Sequence, residues 1–161
     1  MPGDGTAGQH LVDVHDHFRQ ELTQLRELLD QVRAGVAGAG AAREHLQTVA
    51  LRANNWTFGS YCQAYCLGVT QHHSLEDAAM FPGLRVKESG LAGVLDRLAQ
   101  EHLVIHDLLE AVDRALVTLA TDPEAHEPVQ AAVDLLTAAL LSHFSYEERE
   151  LIGPLSRFGF Y

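Results

Sequence analysis

Four long stretches of the chain repeat apolar residues at alternating steps of three and four positions. Such spacing places the apolar side chains on one face of an α-helix, and the sustained alternation typical of β-strands is missing from the sequence. Turn-forming residues separate the stretches: the Gly/Ala-rich run 35–40, Asn54-Asn55, Pro82-Gly83 and Asp122-Pro123. The pattern predicts an all-α fold, an antiparallel up-down four-helix bundle. It also predicts a short extra helix around Arg43 to Leu51, between the first two long helices.

Length and composition narrow the class of protein. The chain has 161 residues, of which 47% are hydrophobic and 20% charged, so we expect a single folded domain over residues 1–161. The formal net charge of −11 argues against binding to nucleic acid or to an anionic membrane surface. The first ten residues lack the features of a secretory signal. Cys62 and Cys66 lie one helical turn apart, a poor disulfide framework, so we expect a cytoplasmic protein.

Seven polar residues interrupt the apolar faces of the predicted helices. A buried imidazole or carboxylate without a partner is costly, and seven independent partners would be needed to satisfy them one by one. A shared metal centre would satisfy all of them, because metal ions bind neutral imidazole and ionised carboxylate directly. The seven residues are His15, His72, Glu76, His102, His106, His143 and Glu147.

The spacing of these residues supports a common site. Residues four apart on a helix lie one above the other, so each of three helices can direct two ligands to one place. Seven ligands are too many for one tetrahedral zinc ion but suit two six-coordinate ions that share carboxylates. The pairs are His72 with Glu76, His102 with His106, and His143 with Glu147, while His15 adds a ligand from the first helix.

This pattern resembles the hemerythrin-like family, also called the HHE cation-binding family. The similarity covers about residues 10–155 and includes the segments 14–16, 76–82 and Glu101-His102 around the candidate ligands. It implies a four-helix bundle with a non-haem centre of two iron ions joined by an oxo or hydroxo bridge. By the resemblance, His102, His106 and His143 hold one iron, His15 and His72 hold the other and leave it an open position, and Glu76 and Glu147 bridge the two.

Two ligand positions keep a rival at this stage. His73 lies beside His72 on a second, partly apolar stripe, and we favour His72 because its stripe is longer. Glu148 lies five residues after His143, the step to a shorter Asp in the family's oxygen carriers, and we favour Glu147 because Leu151 continues its stripe. The remaining histidines, His10, His17, His45 and His126, are expected at the surface.

The resemblance implies chemistry with small molecules. The length and the Gly/Ala loop are most similar to actinobacterial hemerythrin-like proteins, some of which decompose hydrogen peroxide, so an enzyme with catalase-like activity is favoured. Reversible binding or sensing of O2 or nitric oxide, and iron handling, are the alternatives, since they use the same ligands. The apolar C-terminal residues 158–161 either dock on the bundle or form part of a dimer contact.

Overall fold

The computed structural model describes residues 6–39 and 45–159, and helices form nearly all of these two segments. Four long helices are joined by short connections, as the apolar periodicity predicts. A π-helical turn, Glu76–Met80, and a 3-10 turn, Ser89–Leu91, flank the one short helix, α3. The helices are α1 (Thr6–Ala39), α2 (His45–Leu75), α3 (Phe81–Lys87), α4 (Ala92–Thr121) and α5 (His126–Phe158).

Neighbouring long helices run antiparallel, and α1, α2, α4 and α5 form the bundle. Near one end of the bundle, Gly8 of α1 faces Ile152 and Ser156 of α5. Towards the other end, Arg33 of α1 pairs with Glu127 of α5. Helix α1 also packs against α2, and α4 packs against both α2 and α5. The predicted four-helix bundle is therefore confirmed.

The predicted short helix before Asn54-Asn55 is not a separate element. Helix α2 begins at His45 and continues unbroken through both asparagines to Leu75, while residues 40–44 lie outside the described part of the chain. Asn55 does not end the helix because its amide group bonds elsewhere. Its Nδ2 donates to the backbone oxygen of Pro123 at 2.9 Å, and its Oδ1 lies 2.9 Å from Nε2 of His126. The one short helix is α3, between α2 and α4.

Pro82 also changes the backbone without breaking the helical path. A proline in a helix lacks the N–H that would bond four residues back, and its ring crowds that carbonyl. The chain widens here into the π-helical turn, in which the N–H of Phe81 bonds the carbonyl of Glu76. Wider turns of this kind relieve such crowding and occur often at functional sites. This one begins at a candidate metal ligand.

The apolar core is divided into two clusters along the bundle. The larger contains Phe18, Val69, Ile105 and Phe144, and the smaller contains Leu11 and nine other buried residues near the opposite end. Buried polar residues lie between the two clusters on each of the four long helices or, for Glu76, on the π-helical turn. Most of them lie in sequence between a residue of one cluster and a residue of the other, as His15 lies between Leu11 and Phe18, whereas His143 directly precedes Phe144 of the larger cluster.

Gly8 lets α1 and α5 approach closely, and a methyl group there should destabilise the fold. A Cβ at this position would lie 2.8 Å from Oγ of Ser156 and 2.9 Å from the backbone oxygen of Ile152. We expect Gly8→Ala to lower the free energy of unfolding by about 1–3 kcal/mol. Gly93→Ala is the control, because open space surrounds that helical position. Equal stability of the two variants in urea would contradict the close approach.

Candidate metal centre

The buried polar residues between the two apolar clusters form two groups of potential metal ligands. In each group, the ligand atoms lie within 4.8 Å of one another, and Glu76 belongs to both groups. We call the seven residues together the polar layer. One group consists of His73, Glu76, His102 and His143, and the other of His15, His72, Glu76 and Glu147.

The inward-facing atoms of the polar layer have no hydrogen-bond partner in the described part of the chain. These atoms are Nε2 of all five histidines and both carboxylate oxygens of Glu76 and Glu147. Nearly all buried polar atoms in folded proteins are paired, and an unpaired one costs several kcal/mol at many sites. A cluster of unpaired nitrogen and oxygen acceptors that converge on one place fits metal cations, which take those atoms as ligands.

Each carboxylate of the polar layer faces one histidine from each group, through a different oxygen. In Glu76, Oε1 lies 3.2 Å from Nε2 of His102 and Oε2 lies 3.4 Å from Nε2 of His72.

Glu147 repeats this arrangement from the opposite side. Its Oε2 lies 3.2 Å from Nε2 of His143, and its Oε1 lies 3.8 Å from Nε2 of His15. A carboxylate so oriented offers one oxygen to each of two neighbouring ions. The donor set therefore suits a pair of ions bridged by Glu76 and Glu147.

Three of the histidines are supported from behind by carboxylates. Nδ1 of His15 lies 2.8 Å from Oε2 of Glu148, and Nδ1 of His102 lies 2.8 Å from Oδ1 of Asp77. Nδ1 of His143 lies 2.9 Å from Oε1 of Glu101. Such contacts fix which nitrogen faces the metal and make the imidazole a stronger donor.

Arginines hold two of these supporting carboxylates in place. Arg19 donates to Glu148 at 2.7 Å, and Arg97 donates to Glu101 at 3.2 Å. Arg97 also lies over the ring of Tyr146, 3.9 Å from its centroid. The outer residues therefore form their own network of charges, which orients His15 and His143 from the surface of the bundle.

Burial favours the neutral, metal-binding form of four of the five histidines, whereas the neighbouring Glu147 and Glu101 raise the pKa of His143. Burial lowers the pKa of His72 to about 4, and it also lowers the pKa of His15, His73 and His102. Neutral imidazoles with free Nε2 lone pairs are metal ligands. Burial and the neighbouring Glu147 raise the pKa of Glu76, because two buried carboxylates side by side resist ionisation. Cations between them would remove this repulsion.

The structure places His106 outside the polar layer, contrary to the expectation from sequence. Its side chain is 57% exposed, and its Nε2 lies 3.2 Å from Oε1 of Glu110 on the surface of α4. The next buried residues of α4 after His102 are Ile105 and Leu109, three and seven positions further on. The buried face therefore runs through Ile105 and not through its neighbour His106. The spacing of four from His102 is therefore insufficient to bring His106 inward.

His73 occupies the position that the sequence analysis gave to His106. Consecutive residues on a helix point about 100° apart, so His72 and His73 face different groups of the polar layer. The ring of His73 stacks on that of His102, with centroids 3.9 Å apart. The choice between His72 and His73 was thus posed wrongly, because both lie in the layer. The two adjacent histidines in the sequence were the available sign that both could be ligands.

The other candidates are distributed as follows. Glu147 lies in the polar layer, whereas its rival Glu148 supports His15 from outside. His17 is exposed as expected and lies 2.7 Å from Glu21. His126 is buried, contrary to expectation, because it bonds Asn55. Phe158 packs against the smaller apolar cluster.

Comparison with known proteins identifies the family. The sequence model of the hemerythrin HHE cation-binding domain matches residues 6–155 of the chain. The chain therefore belongs to the hemerythrin family, whose domain binds metal cations. No curated protein and no solved structure matched the chain. Within the described residues, no helix combines the length and the apolar character needed to cross a membrane.

Replacing His73 should remove metal, and replacing His106 should not. Loss of a residue that merely supports a ligand costs about 10–100-fold in metal affinity, so loss of the ligand His73 should cost at least as much. We expect His73→Ala to contain less metal than the wild-type protein, as measured by elemental analysis. His106→Ala, a matched change on the surface, should keep its full content. The reverse order would show that the side chain of His106 binds metal.

Metal should stabilise the folded chain. Without it, the unpaired atoms of the polar layer stay buried, and metal that binds only the folded state adds its binding free energy to stability. We expect the metal-free protein to melt about 5–10 °C lower, with its helical circular dichroism largely kept at 25 °C. An unchanged melting temperature would mean that the layer is satisfied without metal.

Proposed function

We propose that the polar layer holds two iron ions and that the protein decomposes hydrogen peroxide into O2 and water. His73, His102 and His143 would hold one ion, His15 and His72 the other, and Glu76 and Glu147 would bridge them. The single observation that supports two metal ions is the orientation of the Glu76 and Glu147 carboxylates. Each directs one oxygen towards a histidine of each ligand group. A bridging oxo or hydroxo group belongs to the proposal as well.

Two iron ions supply the capacity to take two electrons from one peroxide molecule and give two to another, so that two H2O2 yield one O2 and two H2O. The residues of the chain decide where peroxide can bind. The group with His15 and His72 offers one imidazole fewer than the group with His73, His102 and His143. We therefore expect the open position beside His15 and His72.

The supporting carboxylates favour the peroxide reaction over oxygen carriage. Asp77, Glu101 and Glu148 each accept a hydrogen bond from a ligand imidazole, which strengthens that imidazole as a donor. Stronger donors stabilise the oxidised form of a metal ion. A protein that carries O2 must rest in the reduced form, whereas peroxide disproportionation needs an oxidised form that can accept electrons from the substrate.

Reversible binding of O2 is the second candidate, and the apolar surroundings of His15 and His72 favour it. The ring of Phe144 stacks on that of His15, with centroids 4.4 Å apart. The ring centroids of Phe18 and His72 are 5.5 Å apart. Tyr65 is close to Phe18, but its hydroxyl donates to the backbone oxygen of Phe18 at 3.2 Å. An apolar pocket without a proton donor favours a bound O2 that leaves unchanged.

We also propose a cytoplasmic location, from sequence. Cys62 is buried and Cys66 half-buried, and both are free thiols, as a reducing compartment would keep them.

Oxygen release from peroxide by iron-loaded, haem-free protein tests the proposed activity. We expect His15→Ala to reduce the rate to that of the metal-free protein, because His15 is one of only two imidazoles beside the proposed open position. His17→Ala is the matched control, since His17 lies on the same helix with its side chain 66% exposed. If the iron-loaded protein releases no O2 from peroxide but forms a reversible O2 adduct, the enzyme proposal is wrong and reversible O2 binding takes its place.

A further inference from the structure

A small cavity between α2 and α4 reaches the polar layer from the surface. Its volume is about 150 Å³. A water molecule takes up roughly 30 Å³ in the liquid, so the cavity has room for a few waters or one small molecule. Two ligand histidines and one supporting carboxylate form its inner wall. The cavity is lined by Thr70, His73, Ser74, Asp77, His102, Leu103, His106 and Leu109, and we call it the α2–α4 cavity.

The cavity exists because short side chains of α2 face a surface histidine of α4. Thr70 and Ser74 reach only a short way from α2, and the hydroxyl of Thr70 is turned back to the carbonyl of Cys66 at 2.9 Å. His106 leaves the interior for its contact with Glu110 on the surface. The departure of His106 from the layer and the opening of this cavity are therefore the same structural feature.

Packed rings and charged pairs cover the polar layer at His15, His72 and His143. Phe144, which is completely buried, stacks on His15, and the buried Phe18 contacts His72. Glu148 and Glu101 stand behind His15 and His143. A molecule arriving from these directions would have to displace packed rings or charged pairs.

His73 differs from the supported ligands. Among the described residues, no carboxylate bonds its ring, and its outer side borders the α2–α4 cavity. Its ring centroid lies 5.7 Å from that of His72, which belongs to the group with the expected open position. A tilt of this unsupported ring would link the cavity with the interior of the layer.

We propose that the α2–α4 cavity is the route by which small uncharged molecules reach the metal pair, and that its volume excludes organic molecules larger than about the size of benzene. The proposal rests on the proposed metal pair. It assigns to Ser74 and Leu103, which touch no metal, the control of access and of substrate size. Bulky organic hydroperoxides would be excluded because the cavity, which Leu103 and Leu109 line together with His73 and His102, has a volume of only about 150 Å³.

Ser74→Phe should obstruct the route, and Ser142→Phe is its matched control. Both serines are exposed and each adjoins a ligand histidine, but only Ser74 lines the cavity. The probe is nitric oxide, added anaerobically to the ferrous protein and followed by stopped-flow absorbance. With equal iron content, we expect Ser74→Phe to bind nitric oxide about tenfold more slowly or worse, and Ser142→Phe to match the wild type. Equal rates in the two variants would overturn the proposal.

This comparison separates the route from the proposed activity. If the wild-type protein binds nitric oxide but releases no O2 from peroxide, the catalase-like function fails, and the two phenylalanine variants still decide the route.

A widening variant tests the same claim should Ser74→Phe lose iron. Leu103→Ala enlarges the cavity, and Val104→Ala is the control, because Val104 is the exposed neighbour outside the lining. The readout is the ratio of the oxidation rates of the ferrous protein by cumene hydroperoxide, which is larger than benzene, and by hydrogen peroxide. We expect Leu103→Ala alone to raise it several-fold. An unchanged ratio would contradict size selection by this cavity.

Discussion

The bundle depends on one constraint: nine buried ligand atoms of seven polar residues have no hydrogen-bond partner among the described residues. They form a layer that cuts the apolar core into two clusters, so the four long helices contribute polar side chains at a level where Leu and Phe would otherwise pack. A layer of this kind destabilises the fold unless cations fill it. The proposed pair of metal ions would therefore complete the core between its two apolar clusters.

The surroundings of the layer are unequal, and this inequality links the structure to the function. Three imidazoles are backed by carboxylates that reach the surface, and arginines hold two of those carboxylates. Aromatic rings cover His15 and His72. A small cavity opens between α2 and α4, and the unsupported His73 lines it. Carboxylates that fix three of the ligand histidines, together with a cavity beside a fourth, would suit a centre that keeps its metal while it exchanges small molecules.

The periodicity of apolar residues was enough to predict the four helices, and the polar residues inside the stripes were enough to predict six of the seven members of the layer. The prediction for His106 was wrong because a spacing of four places two residues on the same buried face only when that face runs parallel to the helix axis. In α4 the buried face winds around the helix and leaves His106 exposed. His73 was undervalued because two consecutive residues rarely both face a core. At the centre of this bundle, with ligand groups on either side, both do.

Other features depend on contacts that a single sequence does not display. Asn55 stays within α2, and His126 stays buried, because each satisfies the other across 71 positions of the chain. Pro82 does not end the helical path at the layer. The wider π-helical turn before it accommodates a residue that has no backbone N–H to donate. The roles of Asp77, Glu101 and Glu148 likewise follow from distances between helices. The sequence drew attention to Glu148 only as a rival metal ligand and to Glu101 only as the neighbour of His102, and nothing in it showed that these carboxylates support imidazoles.

The central claim is that the seven residues of the polar layer together bind two iron ions. Anaerobic titration of the metal-free protein with ferrous iron, with unbound metal removed and bound iron counted against protein concentration, tests it most directly. The account predicts saturation at two ions per chain. Saturation at a single ion, or no stoichiometric binding, would contradict it.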